Sequence, residues 1–368
     1  MKKLLLLVAS LTLVFALSAC GGETYEIAMI TDSGDIDDES FNQGTWEGIV
    51  EFAEENDLTH KYYKPSEVSD AAYLDAIELA IEGGAEVVVT PGFLFEVSVF
   101  EAQSMYPDVK FILIDGEPND GDWSSGMATY RTDDNVLPVL FNEHESGFLA
   151  GYAAVMDGYR NLGFTGGMAV PAVVKFGVGF VAGAYYAANE LEVDIDLGSD
   201  NYHYFGNFAP DDAHKTLVAG WYATGKEVVF AAASGAGASV MAAASEADAM
   251  MIGVDIDQAD QSDTVLTSAL KELGNAVKQA LQDYLDDDFV GGTTIRKGAE
   301  NDGVGLPMDS SRFDTFTTAQ YNTIYGLLED GTVEVPASYT ELATFLGTLA
   351  DTDTTDAPTE NAINCTTE

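Results

Sequence analysis

Short apolar runs rich in β-branched residues alternate with stretches of helical periodicity along most of this chain, and that alternation restricts the fold to α/β units built on parallel sheets. Strands are predicted over residues 26–31, 86–90, 110–114, 161–165, 202–205, 227–232 and 249–254. Helices are predicted between them, among others over 41–56, 71–81, 147–156 and 211–224. The runs form two sets separated by a less regular stretch, 119–136, so two doubly wound parallel-sheet lobes fit better than one barrel. A chain of 368 residues is long enough for both. Beyond Thr352 the composition is polar and almost free of apolar residues, which predicts a disordered tail.

The amino terminus carries a processing signal. Lys2 and Lys3 precede an apolar stretch over 4–17, and Leu17-Ser18-Ala19-Cys20 closes it with small residues before a cysteine. The tetrapeptide resembles a bacterial lipobox, which implies removal of residues 1–19, diacylation of Cys20 and a lipid-anchored protein on the outer face of the cell membrane. No later apolar run approaches the roughly 20 residues that a membrane helix needs. With Cys20 acylated, Cys365 has no partner for an intramolecular disulfide. The 62 acidic residues against 15 basic ones give a net charge of −47, which argues against nucleic acid as a partner and leaves the lipid as the only attraction to an anionic membrane.

Three predicted strands end at or just before an aspartate: Asp32, Asp115 and Asp255. Ligands of open α/β sheets bind outside the carboxyl ends of the strands, so these carboxylates point at one cleft if the lobes face each other. A carboxylate accepts two hydrogen bonds from adjacent hydroxyls, which suits a sugar or a ribose diol. Ser40 and Gln43 have the spacing of a capping box, starting a helix whose first residue, Phe41, lies off the core stripe of Trp46, Ile49, Val50 and Ala53. A ring so placed can stack on a flat ligand, with Asn42 beside it to read polar edges. A plain hydrophobic contact for Phe41 and simple turn or helix caps for the aspartates are the competing readings.

Lys271 is expected in the first turn of a helix beginning near Ser268, where the macrodipole disfavours a cation and something else must hold it. There it can neutralise the carboxylates and donate to a sugar hydroxyl. Lys278, one heptad on, is read as solvated. The run Ser234-Gly235-Ala236-Gly237-Ala238-Ser239 follows a strand and opens a helix, so backbone amides near Gly235 can approach a ligand. No phosphate-binding glycine motif, metal-ligand spacing of histidines or nucleophile elbow is present, so no cofactor, metal or catalytic group is expected. The acidic run 32–39 lacks the glycine and spacing of a calcium loop.

At these residues the chain resembles the basic membrane protein family of bacterial substrate-binding lipoproteins, which includes purine nucleoside receptors of ABC transporters. The matching blocks are Asp37-Asp38-Glu39-Ser40-Phe41-Asn42-Gln43 with Trp46-Glu47-Gly48, Phe148-Leu149-Ala150-Gly151, Gly179-Phe180-Val181-Ala182-Gly183, Gly253-Val254-Asp255-Ile256-Asp257-Gln258 and Leu266-Thr267-Ser268-Ala269-Leu270-Lys271. The resemblance spans roughly 25–345. It implies a type I periplasmic-binding-protein fold that closes on a nucleoside and delivers it to an ABC permease. By the same resemblance Phe41 and Phe208 sandwich the base, Asn42 and Asp115 bond to it, and Asp255 with Lys271 holds the ribose. It also implies lobes of 25–132 plus 267–292 and 133–266 plus 293–348, with 349–368 as the tail. Asn207 stands where the family has Ser, and 234–239 lacks glycines of the family's A-G-G-x-G-x-G, which restricts the backbone near Gly235. Two other classes remain: a calcium-dependent nucleoside hydrolase, because Thr31-Asp32-Ser33-Gly34-Asp35-Ile36-Asp37-Asp38 loosely resembles that family's D-T-D-P-G-x-D-D site with Ile30 where its first aspartate belongs, and a surface receptor or adhesin of the same fold.

Overall fold

The computed structural model describes residues 24–359 and 364–365, so the predicted signal peptide and Cys20 lie outside the described residues. Two sheets form, each with its own buried core. The first is built from β1 (Ile27–Ile30), β2 (His60–Tyr63), β3 (Val87–Pro91), β4 (Lys110–Ile114), β5 (Val136–Phe141) and β11 (Ile295–Lys297), in the order β11-β5-β4-β3-β1-β2 with every pairing parallel. The second holds β6 (Leu162–Gly166), β7 (Tyr202–Tyr204), β8 (Val228–Ala232), β9 (Met250–Asp255), β10 (Val265–Lys271), β12 (Val304–Gly305) and β13 (Asn364–Cys365), in the order β12-β10-β9-β8-β6-β7-β13. Only the β10–β12 pairing in it is antiparallel. Its first five strands in chain order repeat the arrangement of the first sheet, so the chain runs one doubly wound topology twice.

The central strands are buried along their whole length, as strands covered on both faces by helices must be. In the first lobe α1 (Phe41–Glu55), α2 (Asp70–Glu82) and α3 (Glu96–Met105) supply that cover, and in the second α5 (Pro171–Leu191), α6 (Asp212–Ala223) and α7 (Gly237–Ala247) do so. Two helices change sides. The helix after β5, α4 (Glu143–Met156), packs on α5 in the second lobe, whereas the helix after β10, α8 (Leu273–Leu285), packs on α1 in the first. The chain therefore crosses between lobes at Asn142, at Glu272 and again over 298–303, and these crossings touch: the Asn142 amide donates to the Lys297 carbonyl at 2.8 Å and the Glu272 amide to the Gly303 carbonyl at 3.0 Å. The last helices, α9 (Thr318–Glu329) and α10 (Tyr339–Leu346), close the second core.

These crossings correct the expected lobe boundaries. Residues 136–141 and 295–297 belong to the first sheet and 265–271 to the second, because hydrophobic pattern identifies a strand without recording which sheet it joins. The polar end of the chain is also more ordered than its composition predicts. The Asp351 amide donates to Asn189 Oδ1 at 2.8 Å, Ala357 is buried in the second core, and Asn364–Cys365 pair with His203 and Tyr204. An open sheet edge beside β7 supplies hydrogen-bond partners that composition cannot reveal.

Small residues set the tightest contact in the second lobe. A side chain on Gly147 or Gly151 of α4 would collide with carbonyls of α5, and one on Gly179 or Gly183 of α5 with carbonyls of α4. The Phe-Leu-Ala-Gly and Gly-Phe-Val-Ala-Gly blocks are thus two helices packed backbone to backbone. Their small apolar residues also give α5, at 21 residues and a mean hydropathy of 1.2, the length and composition of a membrane span, contrary to expectation, yet 72% of that window is buried inside the lobe.

A surface of net charge −47 repels itself, and dissolved salt screens that repulsion. Lowering sodium chloride from 1 M to 20 mM is expected to reduce the melting temperature by at least ~3 °C, the shift that about 1 kcal/mol produces in domains of this size. A scan showing an unchanged or higher melting temperature at low salt would contradict this.

Candidate functional site

Each lobe contributes strand ends to one cleft, and a single ammonium sits where they meet. Lys271 is the last residue of β10, not the first-turn helical residue that its sequence predicts: the run Val265–Lys271 is buried almost throughout, and a strand covered on both faces lacks the alternation that would have marked it. Its Nζ pairs with Asp115 after β4, and lies 3.7 Å from Asp255 Oδ1 at the end of β9 and 3.8 Å from Glu143 Oε1 at the start of α4. Lys175 of α5 completes the group, 3.1 Å from Glu143 Oε2. Two lysines thus face three carboxylates. The Lys271 side chain is only 3% exposed.

Burial and charge compete in this cluster. Burial pushes the Asp115 carboxyl up, with Lys271 pulling against it, and pushes Asp255 up against the opposing effects of Lys271 and a hydrogen bond from Ser40. For Lys271, burial alone would lower the value, but Asp115, Asp255 and Glu143 outweigh it and hold the ammonium above its ordinary range. Asp115 and Asp255 take left-handed backbone angles, φ 56° and 67°, a conformation that aspartate tolerates better than most residues. Asp115 Oδ1 is buried and accepts no hydrogen bond. Such an acceptor is costly unless a donor reaches it.

Three rings enclose the ammonium: Phe41 at 4.9 Å, Phe176 at 5.4 Å and Phe141 at 5.8 Å from Nζ to ring centre. Phe41 opens α1 beside Asp32, which follows β1. A side chain on Gly92, after β3, would lie 3.4 Å from Asp32 Oδ2 and 3.7 Å from the Phe41 ring, so these groups share the point where strand order reverses. Asp32 is pushed up mainly by burial, offset by bonds from the Gly34 amide and Asn42.

Asn42 is placed differently from expectation. Its Nδ2 donates at 2.9 Å to both Asp32 and Asp38, and its Oδ1 accepts from the Asp32 amide at 3.3 Å, so it braces the loop from a buried position instead of presenting free polar atoms to a ligand. The expected capping box is absent as well. Asp38 accepts the Asn42 and Gln43 amides at 3.1 and 3.0 Å, a role for which Ser40 was expected, while the Ser40 hydroxyl bonds across the cleft to Asp255. Asp35 pairs with Lys64. Asp32, Asp35 and Asp38 of this loop are committed to local structure, and among the described residues no group of His, Cys, Asp or Glu is arranged to hold a metal.

On the second lobe, a side chain on Gly167 after β6 would collide with the Phe208 ring, and one on Gly235 after β8 would meet the Phe208 carbonyl at 3.2 Å. Phe208 and Gly235 are therefore neighbours at the equivalent reversal of strand order, though the rings around Lys271 are Phe41, Phe141 and Phe176. Lys278, expected to be solvated, pairs with Glu51 at 2.8 Å. Sequence reasoning missed Glu143, Lys175, Phe141 and Phe176. Glu143 and Phe141 follow from β5, a strand not among those predicted and one that contains Pro138, which is unusual within a sheet. Nothing in the sequence signals Lys175 or Phe176.

What the cluster offers chemically is a ring face beside carboxylate acceptors and an ammonium donor. Comparison with known proteins agrees with a binding role. The family model Bmp, described as ABC transporter substrate-binding protein PnrA-like, matches residues 25–334. The ABC transporter nucleoside-binding protein BmpA of Lactococcus lactis subsp. cremoris is 30% identical over 336 residues, 84% of this chain and 88% of that protein. Basic membrane protein A of Borreliella burgdorferi is 28% identical, covering 83% of this chain and 87% of its own. In fold, the chain is similar to an ABC transporter solute-binding protein from Aeropyrum pernix K1, with a TM-score of 0.67 and 22% identity over 88% of this chain and 90% of that one. With a two-lobed fold shared with solute-binding proteins and a family match across both lobes, this chain belongs to the PnrA-like family of ABC transporter substrate-binding proteins and is a solute-binding protein, not an enzyme.

Proposed function

We propose that this protein captures nucleosides, purine nucleosides foremost, by closure of its two lobes and delivers them to an ABC permease while held by lipid at Cys20 on the outer face of the membrane. The observation that carries the reading is the buried Lys271 ammonium with Asp115 and Asp255 on either side and the Phe41 ring 4.9 Å away. A nucleoside needs those two surfaces next to each other, an aromatic face for its base and charged hydrogen-bonding groups for its ribose. The unpartnered Asp115 Oδ1 adds a buried acceptor for a ligand N–H or O–H. In this reading Phe208 with Gly235 on the second lobe, and Asp32 beside Phe41 on the first, are assigned to the ligand's surroundings. Asn42 acts through the Asp32 loop.

In calorimetric titrations with inosine, Asp255→Ala is expected to cost ~1.5 to 3 kcal/mol of affinity, the range for a hydrogen bond to a charged group, or about tenfold or more in Kd. Hypoxanthine, which has no ribose, is expected to lose much less from the same substitution, whereas Phe41→Ala weakens both ligands. Equal losses for the two ligands in Asp255→Ala would contradict the ribose assignment.

The anchor is tested separately. Cys20→Ala is expected to release the protein into the soluble fraction with binding unchanged, because a lipid chain contributes roughly 0.8 kcal/mol per buried methylene and the acidic surface offers no electrostatic replacement. A variant that still sediments with membranes would contradict lipid anchoring.

A further inference from the structure

Two motif residues bridge the lobes directly. Ser40 stands at the N-cap of α1, the position where a serine hydroxyl ordinarily accepts a helix amide, yet it makes no capping bond. It donates instead across the cleft to Asp255 Oδ2 at 2.7 Å, fully buried. The capping work has passed to Asp38, which accepts the Asn42 and Gln43 amides. Ser40 is thereby released from its own helix, and its hydroxyl serves a residue 215 positions away.

Gln258 answers from the other side. Its Oε1 accepts the Val254 amide at 3.2 Å and its backbone amide donates to Ser268 Oγ at 3.0 Å, which fixes it to the end of β9 and the middle of β10. Its Nε2 then donates to the Glu39 carbonyl at 2.8 Å, beside Ser40, and Gln261 Nε2 reaches the same oxygen at 3.3 Å. Glu39 holds a left-handed φ of 53°, which for glutamate is uncommon. The loop before α1 and the loop after β9 are thus joined by bonds that run from one lobe to the other.

From this geometry we infer that Ser40 and Gln258 are a closure clasp: positioning residues that hold the lobes shut over a bound solute, and that Ser40 also orients Asp255 toward Lys271. The solute is the nucleoside of the reading above, on which this inference rests for its ligand. Because the clasp bonds must break before a bound ligand can leave, the clasp governs release more than capture.

Stopped-flow binding of inosine to the full-length lipoprotein in detergent tests it with Ser40→Ala and with Gln258→Glu, which keeps the acceptor for the Val254 amide and removes the donor to Glu39. Each variant is expected to release ligand about tenfold faster or more, the loss of a buried hydrogen bond to a charged or strained partner, with the association rate within about twofold of wild type. Asp38→Ala should lower the melting temperature through loss of the α1 cap, which Ser40→Ala leaves in place. Unchanged release rates with intact inosine binding in the wild type overturn the clasp and leave the ligand reading standing. A wild type that binds no nucleoside overturns the ligand reading alone, because small-angle scattering of the purified proteins reads closure without added ligand: the Ser40→Ala, Gln258→Glu double variant is expected to show the larger radius of gyration, and superimposable curves overturn the clasp.

Discussion

A lysine ammonium removed from water needs counter-charges at close range, and in this protein Lys271 finds them only where the two lobes meet. Asp115 comes from the first sheet, Asp255 from the second, and Glu143 from the helix that follows the first crossing between lobes. Breaking a buried charge pair by removing one partner costs on the order of 3–5 kcal/mol, so the positions of these elements are mutually dependent. Of 15 basic residues in a chain of net charge −47, one is buried at this point and a second, Lys175, stands half-buried beside it. That expenditure of scarce cations marks the cleft. A carboxylate cluster without Lys271 would neutralise by taking up protons, and would then no longer offer charged acceptors to hydroxyl groups.

Around this point the structure separates rigid parts from movable ones. The glycines of α4 and α5 lock the second lobe backbone to backbone, and α8 closes on α1 where Gly48 and Gly274 approach without side chains between them. Of those helices α4 and α8 enter their lobes directly from a crossing segment, so the crossings at Asn142 and Glu272 are short connections between firm bodies. Motion in such an arrangement is confined to a few backbone angles, the usual design of a hinge. Glu143 stands one residue after the first crossing and Lys271 one before the second. A change in lobe angle therefore acts first on the charge cluster.

The fold class was legible because parallel strands covered on both faces leave long apolar runs, and the aspartates were legible because they terminate such runs. The strand ends at Asp32, Asp115 and Asp255 and the helix start at Phe41 stand where the pattern places them. What failed did so for identifiable reasons. β5, which contains a proline, was not among the predicted strands, and Glu143 and Phe141 were missed with it, while a helix start placed near Ser268 moved Lys271 from a strand end into a helix. Ser40 and Gln43 have capping-box spacing, but spacing cannot register that Asp38 competes for the same amides or that Asp255 competes for the serine. Lys175 and Phe176 reach the site from a helix whose pattern reports only its core face. Local sequence records local structure well, and cross-lobe chemistry poorly.

The central claim is that the cleft around Lys271 is built for a nucleoside. Its most direct test is to purify the protein, denature it and identify the released small molecules by mass spectrometry. The account predicts an intact nucleoside, with its glycosidic bond unbroken, in stoichiometric or near-stoichiometric amount. Recovery of a free sugar or an amino acid in that role would contradict it.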